Sequence, residues 1–186
     1  MTRRFILLLA AVALAQAADP VAEGVQKKLD AIENGRARPG SVTVVSAAEL
    51  NAWVRFKLPA IAPEGVRQPH IELGYNSATA TAYVNFLQLR HGAGYETNWL
   101  MSKMIDGEKF VKVNARIKSR GGNGTVTLQR VEIAGIAVSG STLDFLIDSF
   151  FRPLYPDASI GEPFDFKYGI DRIEVRPADV RIVLKP

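Results

Sequence analysis

Residues 111–118 constrain this chain most strongly: Val111, Val113, Ala115 and Ile117 alternate without interruption with Lys112, Asn114, Arg116 and Lys118. A period of two puts one set on each side of an extended strand, so the segment demands a sheet with one dry and one wet face. Gly121-Gly122-Asn123-Gly124 follows at once. Asn-Gly is a favoured pair in tight hairpins, so the chain is expected to turn there and return over residues 125–133. In that return the apolar alternation jumps from Val126 and Leu128 to Val131 and Ile133. This one-residue change of phase predicts a bulge at Gln129 or Arg130. Asn123-Gly124-Thr125 also fits the N-glycosylation pattern, but the hairpin turn is the preferred explanation.

The flanking segments supply helices and further strands on both sides. Asp19-Pro20 starts a helix in which Val21, Val25, Leu29 and Ile32 keep helical spacing until Gly35. A short strand over residues 41–45 runs into Ser46-Ala47-Ala48-Glu49, a capping box, which opens a helix with Leu50, Trp53, Val54 and Leu58 on one face. Pro59 and Pro63 are expected to end it. Residues 71–73, a turn at Tyr75-Asn76-Ser77, and the alternation of Ala78, Ala80, Ala82, Val84 and Phe86 give two more strands with a small-residue face. Residues 91–94 read as a loop and residues 98–105 as one or two helical turns. After the apolar run 135–138, Ser141 or Thr142 caps a third helix whose stripe is Leu143, Ile147, Phe150 and Phe151, with Leu146 beside it. A closing hairpin spans residues 170–176 and 180–184 around Pro177-Ala178-Asp179. Strands and helices do not alternate at crossover spacing, so the expected class is α+β: a long, curved antiparallel sheet wrapped around two or three amphipathic helices.

The beginning of the chain bears on its destination. Arg3 and Arg4 form a short basic region, residues 5–15 are almost purely apolar, and Ala15-Gln16-Ala17 has the small-x-small pattern of a cleavage site. As a helix the apolar run reaches roughly 17 Å, short of the ~30 Å of a hydrocarbon core. Residues 1–17 are therefore expected to be a cleaved signal peptide and residues 18–186 one periplasmic or secreted domain. Thr2-Arg3-Arg4 leaves the general secretory and twin-arginine routes both open. The sequence has no cysteine, which removes a lipoprotein anchor, a disulfide framework and a thiolate site together. Loss of Arg3 and Arg4 lowers the formal charge of +4 to +2, so nucleic acid is not an expected partner.

No catalytic constellation emerges, and no enzyme activity is expected. His70 and His91 have no acid or second histidine at metal-ligand spacing, so no metal or cofactor is expected. Ser139-Gly140-Ser141 reads as a helix start rather than a nucleophile elbow. Asp144 and Asp148 share a helix face at i and i+4, but that is the polar side of an amphipathic helix, where early carboxylates suit the dipole. Gly92-Ala93-Gly94 lacks the context of a phosphate loop. Lys112, Arg116 and Lys118, with Arg120 and Arg130, gather on the exposed face and tip of the central hairpin, where they could meet lipid headgroups or a partner, or only solvate a sheet. Trp53, Phe56, Phe86, Leu87, Leu146, Phe150, Phe151 and Tyr155 form an unusually large apolar set, and Phe56 and Leu87 depart from the main stripes of their elements.

The run Val44-Val45-Ser46-Ala47-Ala48-Glu49-Leu50-Asn51-Ala52-Trp53 resembles the opening of LmeA-like and YpmS-like exported proteins, which are similar to the tubular lipid-binding (TULIP) superfamily. Residues 131–138 with the following helix, then Pro163-Phe164-Asp165-Phe166 and Gly169-Ile170, resemble that family's closing half. The resemblance implies a curled antiparallel sheet enclosing an apolar groove that takes an acyl chain or another lipid. Patterning then selects Trp53, Phe56, Phe86, Leu146, Phe150 and Phe151 as groove residues. The expected function is periplasmic binding or carrying of a lipid or other apolar ligand, with transient contact with a membrane surface as a further expectation. The alternative is a non-enzymatic envelope scaffold with a closed core.

Overall fold

A computed structural model describes residues 19–61, 65–89, 106–152 and 160–186, with side chains described for all of these except 58–61, 87, 89, 150 and 151. The expected signal peptide, the loop at 91–94 and the helical turns at 98–105 lie outside the described residues. No helix among those described is long and apolar enough to cross a membrane.

The chain is α+β, with a large antiparallel sheet and a smaller one. Helix α1 (Pro20–Glu33) begins where Asp19 accepts a hydrogen bond from the Val21 N–H at 2.9 Å. It ends before Gly35, whose φ of 64° is the left-handed conformation that terminates helices cheaply. Its inner face buries Ala22, Val25 and Ile32, whereas Val21 is half exposed. Strand β1 (Val42–Ser46) leads into α2 (Ala47–Ile61) through a complete capping box. The Glu49 N–H donates to Ser46 Oγ at 3.2 Å and the Ser46 N–H to Glu49 Oε2 at 2.8 Å. Helix α2 continues past Pro59 to Ile61. A proline in a last turn removes only one ladder bond, so helix termination shifts toward Pro63.

Strands β2 (Val66–Gly74), β3 (Ser77–Asn85), β4 (Glu108–Arg120), β5 (Asn123–Ile133) and β6 (Ile136–Val138) pair in chain order, with a short helix α3 (Phe86–Leu89) after β3. The phase change in β5 is a bulge at Gln129: Asn114 pairs with Arg130 and Ala115 with Leu128. The β4–β5 turn, however, is Gly121-Gly122, with φ of 62° and 87°, and Asn123 and Gly124 already belong to β5. Two consecutive glycines satisfy the two positive φ angles of such a turn better than Asn-Gly does. Phe86, expected to continue the β3 alternation, begins α3 instead.

Helix α4 (Ser141–Leu146) is preceded by Gly140 at φ 59°, with no side-chain cap from Ser141 or Thr142. A positive φ at the entry position is open to glycine, and it places Ser141 inside the first turn. The helix widens into a π-turn at Ile147–Phe151, closed by the Arg152 N–H on the Ile147 carbonyl at 2.8 Å. Strand β7 (Pro163–Asp165) pairs along β5. Strands β8 (Ile170–Val175) and β9 (Asp179–Leu184) do not extend the large sheet; they join β1 in a separate three-stranded sheet ordered β1-β9-β8. Helix α1 covers that sheet through Ile32, which packs with Ile182 and Leu184.

Candidate apolar face and the cleft beside it

Register fixes which side chains share a face of the large sheet. The dry face carries the rungs Ala82–Val111–Ile133 and Ile71–Ala80–Val113–Val131, then Leu73–Ala78–Ala115–Leu128 and Ile117–Val126. At one end it is closed by a buried cluster of Val84, Phe86, Ile133, Val138 and Leu146, with Leu143 and Phe145 of α4 packed against it. At the hairpin end Gly124 is buried, and a Cβ there would lie 2.6 Å from the Phe166 ring and 3.2 Å from that of Phe164. Between these ends burial is incomplete. None of the residues in the Leu73–Ala78–Ala115–Leu128 and Ile117–Val126 rungs is fully buried, and Ala80 is exposed. Along β3 and the middle of β4 this stretch carries only Ala78, Ala80 and Ala115, with Leu73, Leu128, Ile117 and Val126 around them.

Helix α2 is held to the outer edge of β2 by a side chain acting as a strand. Asn51, one of the few buried polar residues, accepts from the Ile71 N–H at 2.8 Å and donates to the Ile71 carbonyl at 2.8 Å and the Ala47 carbonyl at 2.9 Å. The amide thereby satisfies backbone groups that an edge strand would leave open. Around this clamp lies an open cleft of about 660 Å³, lined by Asn51, Arg55, His70, Ile71, Glu72 and Leu73, with Ala47, Ala48 and Pro177. Ile71 and Leu73 also belong to the dry face, so cleft and half-open face meet along β2. Arg55 has no ion-pair partner among the described residues.

Comparison with protein-family models, curated proteins and solved structures found no match to this chain.

The structure brings Phe86 and Leu146 together in the buried cluster. Trp53 is committed elsewhere: its indole N–H donates to Gln26 Oε1 at 3.0 Å and ties α2 to α1. Phe56 is exposed, with the Lys57 ammonium 5.9 Å from its ring centre. Phe150 and Phe151 lie in the π-turn, and their side chains are outside the description. None of Trp53, Phe56, Phe86 and Leu146 lines the cleft. Lys112, Arg116 and Lys118 stand together on the wet face of β4, in register with Thr81, Ser77 and Thr125 respectively.

Sequence patterning missed Asn51 and Arg55, and it read the small-residue face of Ala78, Ala80 and Ala82 without assigning it to the groove. Asn51 follows Leu50 within the apolar part of α2, and a polar residue there is a usable sign of a buried hydrogen-bond clamp. His91 and Gly92-Ala93-Gly94, also weighed for chemistry, lie outside the described residues. Asp148 pairs with Arg152 at 3.2 Å, one helical turn on. Among the described residues no group of three or more histidines and carboxylates gathers.

Proposed function

We propose that this protein binds an apolar ligand, in the form of an acyl chain or another lipid, along the dry face of its large sheet, and carries it without covalent chemistry. The observation that supports this is the half-open run from Leu73 to Val126. Its aliphatic rungs lie between two closed ends, over a floor of Ala78, Ala80 and Ala115. Apolar area left partly in water gains about 25 cal/mol per Å² when a ligand covers it, and an acyl chain contributes about 0.8 kcal/mol for each methylene buried. The cleft beside α2 offers a route, since Ile71 and Leu73 join it to the face. The basic, apolar and small-x-small pattern of residues 1–17 supports a periplasmic or secreted setting for this activity, after export and cleavage, within envelope lipid handling. A tubular lipid-binding fold is the architecture this proposal shares with the resemblance in the sequence.

A titration tests it. Delipidated protein mixed with a fluorescent fatty acid is expected to give saturable, blue-shifted emission that unlabelled fatty acid displaces. An unsaturable, non-displaceable signal refutes the proposal.

The second reading, a non-enzymatic envelope scaffold with a closed core, is favoured by one observation: Phe86 and Leu146, two of the expected groove residues, are packed into a buried cluster. It predicts no displaceable binding in the same titration.

A further inference from the structure

We propose that the wet face of the large sheet is a docking surface for an anionic lipid bilayer. The dry face and its ligand are not needed for this, because the two sets of side chains leave opposite sides of the same strands.

The face is built around β4. Phe110, Lys112, Asn114, Arg116, Lys118 and Arg120 share it by alternation, and their partners across the rungs include Tyr83, Thr81, Thr79 and Ser77 on β3 and Thr127 and Thr125 on β5. Four of these β4 side chains are cations. Lys112, Arg116, Lys118 and Arg120 have no carboxylate partner among the described residues. The other described strand arginines all do: Arg67 pairs with Glu108, Arg130 with Glu132, Arg172 with Asp171 and Glu174, and Arg181 with Asp179. The carboxylates nearest in register to the β4 cations are already committed, Glu132 to Arg130 and Glu108 to Arg67. Glu72 stands on the same wet face at the edge strand, in the rung of Thr79 and Asn114, and Asp165 on β7 lies in the rung of Asn123 and Arg120, so the carboxylates border the face at its edges. The centre of the face thus holds cations flanked by hydroxyls, a combination that suits phosphate oxygens as acceptors.

A solvated face would explain the cations, but not the aromatic pair at their end. Tyr83 and Phe110 meet edge to face, 5.4 Å between ring centres, and remain 40% and 42% exposed on the same side of the sheet. Exposed aromatics continuous with unpaired cations match a bilayer interface, where rings sit at headgroup level and cations meet anionic lipid. From Phe110 to Arg120 the strand covers roughly 33 Å, so ring pair and cations engage together only if the sheet lies flat on the bilayer.

The test is co-sedimentation of the purified protein with vesicles of phosphatidylcholine alone or mixed with phosphatidylglycerol. Protein is expected to pellet with the mixed vesicles, to stay in solution with phosphatidylcholine alone, and to be released as salt rises from about 0.05 to 0.5 M. The triple variant Lys112→Ser, Arg116→Ser, Lys118→Ser is expected to bind the mixed vesicles roughly a hundredfold more weakly or less, with its thermal unfolding unchanged. Tyr83→Ser with Phe110→Ser is expected to weaken binding while leaving its salt dependence in place. Equal binding to both vesicle types, no binding to either, or undiminished binding by the folded triple variant would overturn the proposal. Lipid extraction by the dry face is told apart by location, because it leaves protein and lipid together in the supernatant.

Discussion

The hydroxyl of Ser119 exchanges two hydrogen bonds with the backbone of Ile173, donating to its carbonyl at 2.6 Å and accepting from its N–H at 2.8 Å. Ser119 lies near the end of β4 in the large sheet and Ile173 on the outer edge of the small one. One side chain thus takes the place of a strand and joins the two sheets. Backbone contacts extend the seam: the Gly122 N–H donates to the Asp171 carbonyl at 2.7 Å, and the Asn76 N–H to the Val175 carbonyl at 3.0 Å.

Ser119→Ala leaves two part-buried backbone groups of Ile173 without this partner. The expected loss is about 1–3 kcal/mol, read as a lower denaturant midpoint with an unchanged slope. Ser119→Thr keeps the hydroxyl and suits a strand, so it is expected to lie close to the parent. A midpoint for Ser119→Ala equal to that of the parent would show that the seam does not depend on this hydroxyl.

Gly124→Ala tests the closure of the hairpin end. The new methyl would meet the Phe166 ring at 2.6 Å, and relief requires both rings to shift. A loss of about 1–3 kcal/mol is expected. Adding Phe166→Leu is expected to recover part of it, and non-additivity in that double-mutant cycle is the measured quantity.

Much of the sheet was legible because the period of two is unforgiving. A one-residue slip moves every side chain to the other face, so the phase change between Leu128 and Val131 could only be a bulge, and it lies at Gln129. The Ser46–Glu49 box was equally readable, because both halves of the reciprocal bond lie within four residues. The division into two sheets was not legible. It follows from β1 pairing with β9, Val42 with Val183 through Ser46 with Asp179, a match between the two ends of the domain that leaves no periodic trace. Strand β7 was hidden for a related reason: three exposed residues show no alternation, and their partners lie some forty positions earlier. The candidate site was less legible than the fold. Large aromatics draw attention in a sequence, whereas the small-residue face of Ala78 and Ala80 was readable as a pattern but its alignment with Ala115, Leu73 and Leu128 appears only when the rungs are paired.

Glu49 gives the fold an acid-sensitive joint. Its carboxylate receives the Lys28 ammonium at 2.7 Å and the Ser46 N–H at 2.8 Å, and these hold its pKa below the ordinary value for a glutamate. Lys28 also donates to the Val44 carbonyl at 2.9 Å, so the pair links α1, β1 and α2. A lowered folded pKa means that the stabilisation is complete above the unfolded value and disappears as pH falls through the folded one. Thermal unfolding scanned downward from pH 6 is expected to show this loss in the parent. In Glu49→Gln the loss is expected to shrink, with the variant about 0.5–1 kcal/mol less stable at neutral pH. Parallel pH profiles for the two proteins would contradict this role.

The central claim, that the half-open dry face holds an acyl ligand, is tested most directly by the molar ratio of lipid to protein in an organic extract of the folded protein taken from cells, measured by mass spectrometry for the parent and for Ala80→Trp. Ala80 is exposed on that face between Ile71 and Val113, so an indole there covers the face without displacing packed core. The account predicts a stoichiometric acyl lipid with the parent and a strongly reduced one with the folded variant. No lipid with the parent, or an unchanged ratio in Ala80→Trp, would contradict it.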